Sequence, residues 1–168
     1  MPTVQPYSIV LADDHALFRE GLRRMLAERG LKIIGEVADG IELLNFLQMS
    51  KSIPDMAIVD ITMPNLGGIE ATRRLKVTHP GVKVLILTMH KAKEYIDQTF
   101  SVGAEGYLLK DDIGTELFSA IETIRQRRVY VSPFLLENST QEKKIGIEGP
   151  IEEDVSAWDG PKLDLAKL

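Results

Sequence analysis

Short apolar runs punctuate the chain at residues 7–12, 32–37, 56–59, 83–87 and 106–109, each bounded by glycine, proline or acidic residues. Their length and abrupt ends predict five strands. Between them apolar positions recur at helical spacing. Phe18, Leu22, Met25 and Leu26 share one face, Ile41, Leu44 and Leu47 a second, and Leu117, Ile121 and Ile124 a third. Weaker helical patterns cover 68–78 and 94–102, the latter stopped by Gly103. Strand and helix thus alternate five times, and strands that are apolar throughout need cover on both sides. The pattern predicts a doubly wound α/β fold, a five-stranded parallel sheet with helices on both faces. In such a sheet the functional site lies beyond the carboxyl ends of the strands.

The 168 residues are 44% hydrophobic, enough for one domain with a real core. Lys and Arg total 20 against 25 Asp and Glu, so the net charge of −5 points to proteins and small ions as partners rather than to nucleic acid. The absence of cysteine excludes disulfides and thiolate metal sites. No run approaches the roughly 20 apolar residues of a membrane span, and the first residues do not read as a signal peptide. A soluble, cytoplasmic protein is expected.

The first predicted strand runs into Asp13 and Asp14, the third into Asp60, the fourth into Thr88 and the fifth into Lys110. Singly, each residue has an ordinary explanation: a helix cap, a turn before Pro64, the end of a strand, a solvated charge. Together, three acids, a hydroxyl and a cation on one rim suit phosphoryl transfer to a carboxylate. A carboxylate attacking an anionic phosphoryl group needs that charge neutralised, and the reaction is otherwise mostly positioning. Mg²⁺ would do this with oxygen ligands, Asp14 and Asp60 binding directly and Asp13 through water. Lys110 would add a mobile positive charge and Thr88 a hydroxyl donor. His15, His79 and His90 lack the spacing of a zinc or iron site.

Four segments, VLADDH at 10–15, VDITMPNLGGIEATRRL at 59–75, VLILTMH at 84–90 and GAEGYLLKDD at 103–112, make residues 7–133 resemble a known family. It is the receiver domain of bacterial two-component response regulators, of the NarL/FixJ (LuxR-type) kind. The resemblance implies a flavodoxin-like sheet in the order 2-1-3-4-5, with Asp60 as phosphoacceptor and Asp13 and Asp14 as the acidic pocket. It further implies the Thr62 main-chain carbonyl as a third Mg²⁺ ligand, Thr88 and Lys110 as sensors of phosphorylation, and Tyr107 as an aromatic switch. A half-buried aromatic on an edge strand is the plainer reading of Tyr107. Thr62 and His90, each two residues beyond a pocket residue, are expected to flank the water path to the phosphoryl group and so set its lifetime. A sensor histidine kinase is the implied donor, with room for a homodimer on phosphorylation. The protein would be a phosphoprotein of transcription regulation rather than an enzyme, promoting only its own phosphorylation and dephosphorylation. Two departures stand out: Gly67 replaces a common Asp or Asn and would loosen the turn, and the bulky Met89 follows Thr88.

Residues 1–133 are read as the receiver and 134–168 as a linker and irregular tail, in part of vector origin, with 134–136 starting a short helix or linker. From residue 141 the sequence is charged, rich in Gly and Pro and weakly periodic. It cannot supply a helix-turn-helix domain, so direct DNA binding by this chain is not expected. Three rivals explain less. A haloacid-dehalogenase-class phosphatase would need a second aspartate where Thr62 stands. A phosphorylation-independent receiver would have no use for the full acid, hydroxyl and lysine set. A flavodoxin-like cofactor protein would need hydroxyls, glycines and main-chain donors where the first strand ends in two acids.

Overall fold

Alternate residues of β1 (Ser8–Ala12) enter opposite cores, Ile9 and Leu11 on one side and Val10 and Ala12 on the other. Successive strand side chains point to opposite faces, so a run apolar at every position requires cover on both. A computed structural model describes residues 3–144 and shows that cover. Helices α1 (Ala16–Glu28) and α5 (Ile113–Arg125) bury Leu22, Leu26, Leu117, Ile121 and Ile124 against one face. Helices α2 (Gly40–Met49) and α3 (Gly68–Thr78) bury Leu43, Leu47, Ala71 and Leu75 against the other, joined by Ile96 and Phe100 of α4 (Lys93–Ser101).

The sheet contains β2 (Lys32–Val37), β3 (Met56–Asp60), β4 (Lys83–Thr88), β5 (Gly106–Leu109) and β6 (Tyr130–Val131) in addition to β1. All pair in parallel, in the order β2-β1-β3-β4-β5-β6. The predicted order therefore holds for the first five strands, and the expected five-stranded sheet is corrected to one of six strands among the described residues. Two residues are too few to display an alternation, so β6 leaves no periodic signal. Its place is secured by hydrogen bonds: Tyr130 N donates to Glu105 O at 3.0 Å, Ser132 N to Tyr107 O at 2.9 Å, and Leu109 N to the Ser132 hydroxyl at 2.8 Å.

Two further corrections concern helices. Ile41, read as a core position of α2, is 47% exposed, and the buried stripe passes through Leu43 and Leu47 instead. The phase follows the N-cap, because Asp39 accepts from Glu42 N at 2.8 Å and Glu42 Oε2 reaches back to accept from Ala38 N, just before the cap, at 2.7 Å, a variant of the capping box. The second is α6 (Pro133–Lys144), longer than the short helix read from 134–136 and running four residues into the stretch read as irregular. Proline at its first position suits a helix start. The rest of the expected tail lies outside the described residues.

Candidate phosphoacceptor site

Parallel strands place their carboxyl ends on one rim, and β1, β3, β4 and β5 deliver their terminal residues there together. In the register of the sheet Asp60 lies opposite Leu87, so Thr88 projects one residue further along β4, opposite Leu109. Lys110 follows at once, opening a short 3₁₀ turn (Lys110–Asp112) that leads into α5.

Lys110 Nζ donates to Asp13 Oδ2 at 2.8 Å and to Asp60 Oδ2 at 3.3 Å. Its side chain is only 11% exposed, which removes the reading of Lys110 as a solvated charge. Asp13 and Asp60 are buried, while Asp14 is more open. Both oxygens of Asp13 are committed, Oδ1 to the His15 main-chain N–H at 2.8 Å and Oδ2 to Lys110. Neither acid caps α1 through its side chain, whose N-cap is His15. Arg19 of α1 donates to the Asp13 carbonyl and so ties the acid loop to its helix.

Burial pushes the Asp60 carboxyl above its usual range, and the nearby Asp13 carboxylate adds to this. The Lys110 ammonium and the Thr62 main-chain N–H pull it back. Asp13, Asp14, His15 and Asp60 each bring a ligand atom within 4.8 Å of the others. Three carboxylates against one ammonium leave two negative charges to be neutralised. The donors are chiefly carboxylate oxygens, the choice of a hard divalent cation that keeps part of its water shell. The residues present fit such an ion.

Thr88 is fully buried, and its hydroxyl oxygen accepts from His90 N at 3.1 Å. Thr62 and His90 meet directly, Oγ1 to Nε2 at 2.9 Å, and the His90 ring stacks on Tyr95 of α4 with centroids 4.1 Å apart. Tyr107 is fully buried and donates from its hydroxyl to the His90 carbonyl at 2.6 Å. Burial raises its phenol pKa, with the Thr88 side chain offsetting part of the rise. Pairing of β5 with β6 removes the edge-strand reading of Tyr107. His90 thus joins the loop after β3, the end of β4, α4 and β5.

Gly67 has φ −69° and does not supply a left-handed residue to the loop after β3. That conformation falls to Asn65, φ 64°, whose side chain donates to Asp39 Oδ2 at 2.7 Å. The loop is therefore tied to the start of α2, contrary to the loosening expected from Gly67. Sequence reasoning also missed two neighbours of the pocket. The His15 Nδ1 lies 3.1 Å from carboxylate oxygens of both Asp13 and Asp14, an adjacency that metal-ligand spacing rules do not cover. The Phe18 ring lies beneath Lys110 Nζ, 4.4 Å from its centroid, a contact with no local signal.

A profile of the response regulator receiver domain matches residues 9–122. The transcriptional regulatory protein DegU of Brevibacillus brevis is 38% identical over 135 residues, covering 80% of this chain and 56% of DegU. The chain spans a little over half the length of the curated relatives it matches. The crystal structure of a LuxR-family response regulator from Aurantimonas sp. SI85-9A1 superposes with a TM-score of 0.76 at 35% identity, covering 83% of this chain and 99% of that one. A structure of two RcsB dimers bound to two parallel DNAs superposes with a TM-score of 0.71 at 25% identity, covering 79% of this chain and 69% of that one.

Proposed function

The chain belongs to the response regulator receiver family, of the NarL/FixJ type, and from that premise we propose that Asp60 takes a phosphoryl group from a sensor histidine kinase. The observation that carries the assignment is the Lys110 ammonium bridging Asp13 and Asp60 at the strand ends. An Asp60 oxygen would form the new bond to phosphorus as the bond to the donor imidazole nitrogen breaks. Asp14, Asp60 and the Thr62 carbonyl would hold Mg²⁺ directly. Asp13, its oxygens already committed, would act through water. The bound ion neutralises charge on the phosphoryl oxygens. Lys110 is free to follow the new negative charge, and the Thr88 hydroxyl, whose oxygen accepts from His90 N, would turn its proton from Tyr107 to the phosphoryl group.

Drawing Thr88 toward the phosphoryl group would disturb the His90 N–H and, through the His90 carbonyl, the Tyr107 hydroxyl. Tyr107 is already buried, so the switch is a shift in population between arrangements of one hydrogen-bonded unit rather than an inward swing of an exposed ring. The whole protein, by the same reading, controls transcription from the cytoplasm through a DNA-binding domain outside this chain. A homodimer on phosphorylation is part of that reading, with the RcsB dimers as its support. Among the described residues no helix is long and apolar enough to cross a membrane.

Incubation with Mg²⁺ and a small acyl-phosphate donor, followed by intact-mass measurement, tests the assignment. One phosphoryl group per chain is expected, lost when the metal is chelated beforehand. Repeated turnover of a phosphomonoester, or no gain in mass, would overturn it.

The Thr62–His90 pair, bonded at 2.9 Å, would stand across the path of water to Asp60, and alanine at both positions would open it. The double variant is expected to shorten acyl-phosphate lifetime. Each single variant should give most of the effect, because either one breaks the shared bond. Decay of phosphorylated protein after donor removal measures this, and equal lifetimes in all four proteins would retire the role.

A further inference from the structure

We propose that Phe18 is a positioning residue for phosphoryl transfer, its ring face holding the Lys110 ammonium over the acceptor. This rests on the reading of Asp60 as phosphoacceptor and extends it to a residue in the first turn of α1. An ammonium has three donors and no acceptor. Two of its contacts go to Asp13 Oδ2 and Asp60 Oδ2, at 2.8 and 3.3 Å, and the Phe18 ring centroid lies 4.4 Å from Nζ on a further side. Phe18 packs partly buried against the α1/α5 core, so the ring is a platform supplied by the body of the fold.

The physical distinction is between attraction and direction. A carboxylate fixes an ammonium along a hydrogen bond, whereas the negative face of an aromatic ring attracts it without prescribing a line of contact. Lys110 must exchange at least one carboxylate for the oxygens of the incoming phosphoryl group. The ring stays in contact through that exchange and keeps water, a competing acceptor, from that side. An aliphatic residue would fill the volume and supply no such field.

The prediction is a rank order set by the ring. Phe18→Leu and Phe18→Met should each slow phosphorylation by the small donor roughly tenfold, while Phe18→Tyr should remain near wild type. Mg²⁺ affinity, measured by titration calorimetry, should change by much less than the rate in all three, because Lys110 touches the proposed ligands without being one itself. Leu22→Ala, one turn further along α1, opens the same core and should lower the melting temperature without slowing the reaction. A readout independent of phosphorylation comes from proton NMR of the metal-free protein. The Lys110 Hε resonances should lie upfield in wild type through the ring current and return to ordinary positions in Phe18→Leu.

Wild-type rates in Phe18→Leu, or Hε resonances without an upfield shift, would overturn the proposal while leaving Asp60 as acceptor. A Leu22→Ala rate reduced as far as that of Phe18→Leu would also overturn it, reducing Phe18 to a packing residue. Failure of wild type to accept any phosphoryl group would instead sink the underlying assignment, and the positioning role with it.

Discussion

An Asp60→Asn variant is expected to accept no phosphoryl group and yet to melt at a higher temperature than wild type in the absence of metal. The first effect follows from loss of the attacking oxygen, since an amide is a poor nucleophile and the remaining acids have other commitments. The second follows from electrostatics. Asp60 is buried beside Asp13, and burial raises its pKa above the ordinary value. The native state then binds that proton more tightly than the unfolded chain does, so stability falls as pH rises from about 4 through the raised folded value. Above that range wild type carries the full cost of the buried charge. Asparagine carries no charge and escapes it, while the Lys110 bond to Asp13 at 2.8 Å remains. The stability advantage of the variant should therefore grow as pH rises above about 4 and shrink toward it, as thermal melts across that range would show. Mg²⁺ should stabilise wild type more than the variant. A variant less stable than wild type at neutral pH would contradict this account of the pocket.

Gly68→Ala should be the most damaging single methyl group that can be added near the site. A Cβ at Gly68 would stand 2.0 Å from the Asp60 carbonyl oxygen and 3.0 Å from a Val59 methyl. The obstacle is the backbone of β3, which cannot rotate aside, so the start of α3 must move away from the acceptor strand. The Gly68 N–H donates to Ile61 O at 2.9 Å, and that bond would be disrupted with it. A loss of about 3 kcal/mol is expected from overpacking of this kind. Urea unfolding would measure it, and phosphoryl uptake by the folded fraction should fall as well. Gly114 in α5 provides the contrast, because a Cβ there meets nothing within 4 Å. Alanine at Gly114 should stabilise by about 0.5–1 kcal/mol through helix propensity alone. Similar effects at both positions would show that close approach at Gly68 is not the governing constraint.

What could be read from the sequence follows from how local each signal is. Strands β1, β3, β4 and β5 are apolar and buried almost throughout, β2 at the sheet edge less so, and that pattern has few meanings in a chain that also alternates with helices. The strand ends then nominate Asp13, Asp14, Asp60, Thr88 and Lys110 before any coordinates are seen, and the structure brings Asp13, Asp60 and Lys110 into direct contact. β6 escaped because a two-residue strand has no period, and its bonds run partly through the Ser132 side chain. The phase of α2 was misread because Ile41 is apolar, although the cap formed by Asp39 and Glu42 turns it outward. Phe18 lay in plain view as a core residue of α1, but its partner is on a distant segment of chain, and no spacing rule joins an aromatic to a lysine so remote. His90 was picked out for its distance from Thr88, whereas its contacts with Thr62, Tyr95 and Tyr107 depend on tertiary structure.

Trimming the protein at residue 122, where the family match stops, would remove Tyr130, Val131 and Ser132. The Leu109 amide and the Tyr107 carbonyl would lose their partners, and β5 would be left as a bare ledge of unpaired backbone groups. Such a ledge invites strand exchange between molecules. Anyone grafting a new output module onto this receiver should therefore place the splice after Ser132, so that the graft does not unseal the strand that carries Tyr107.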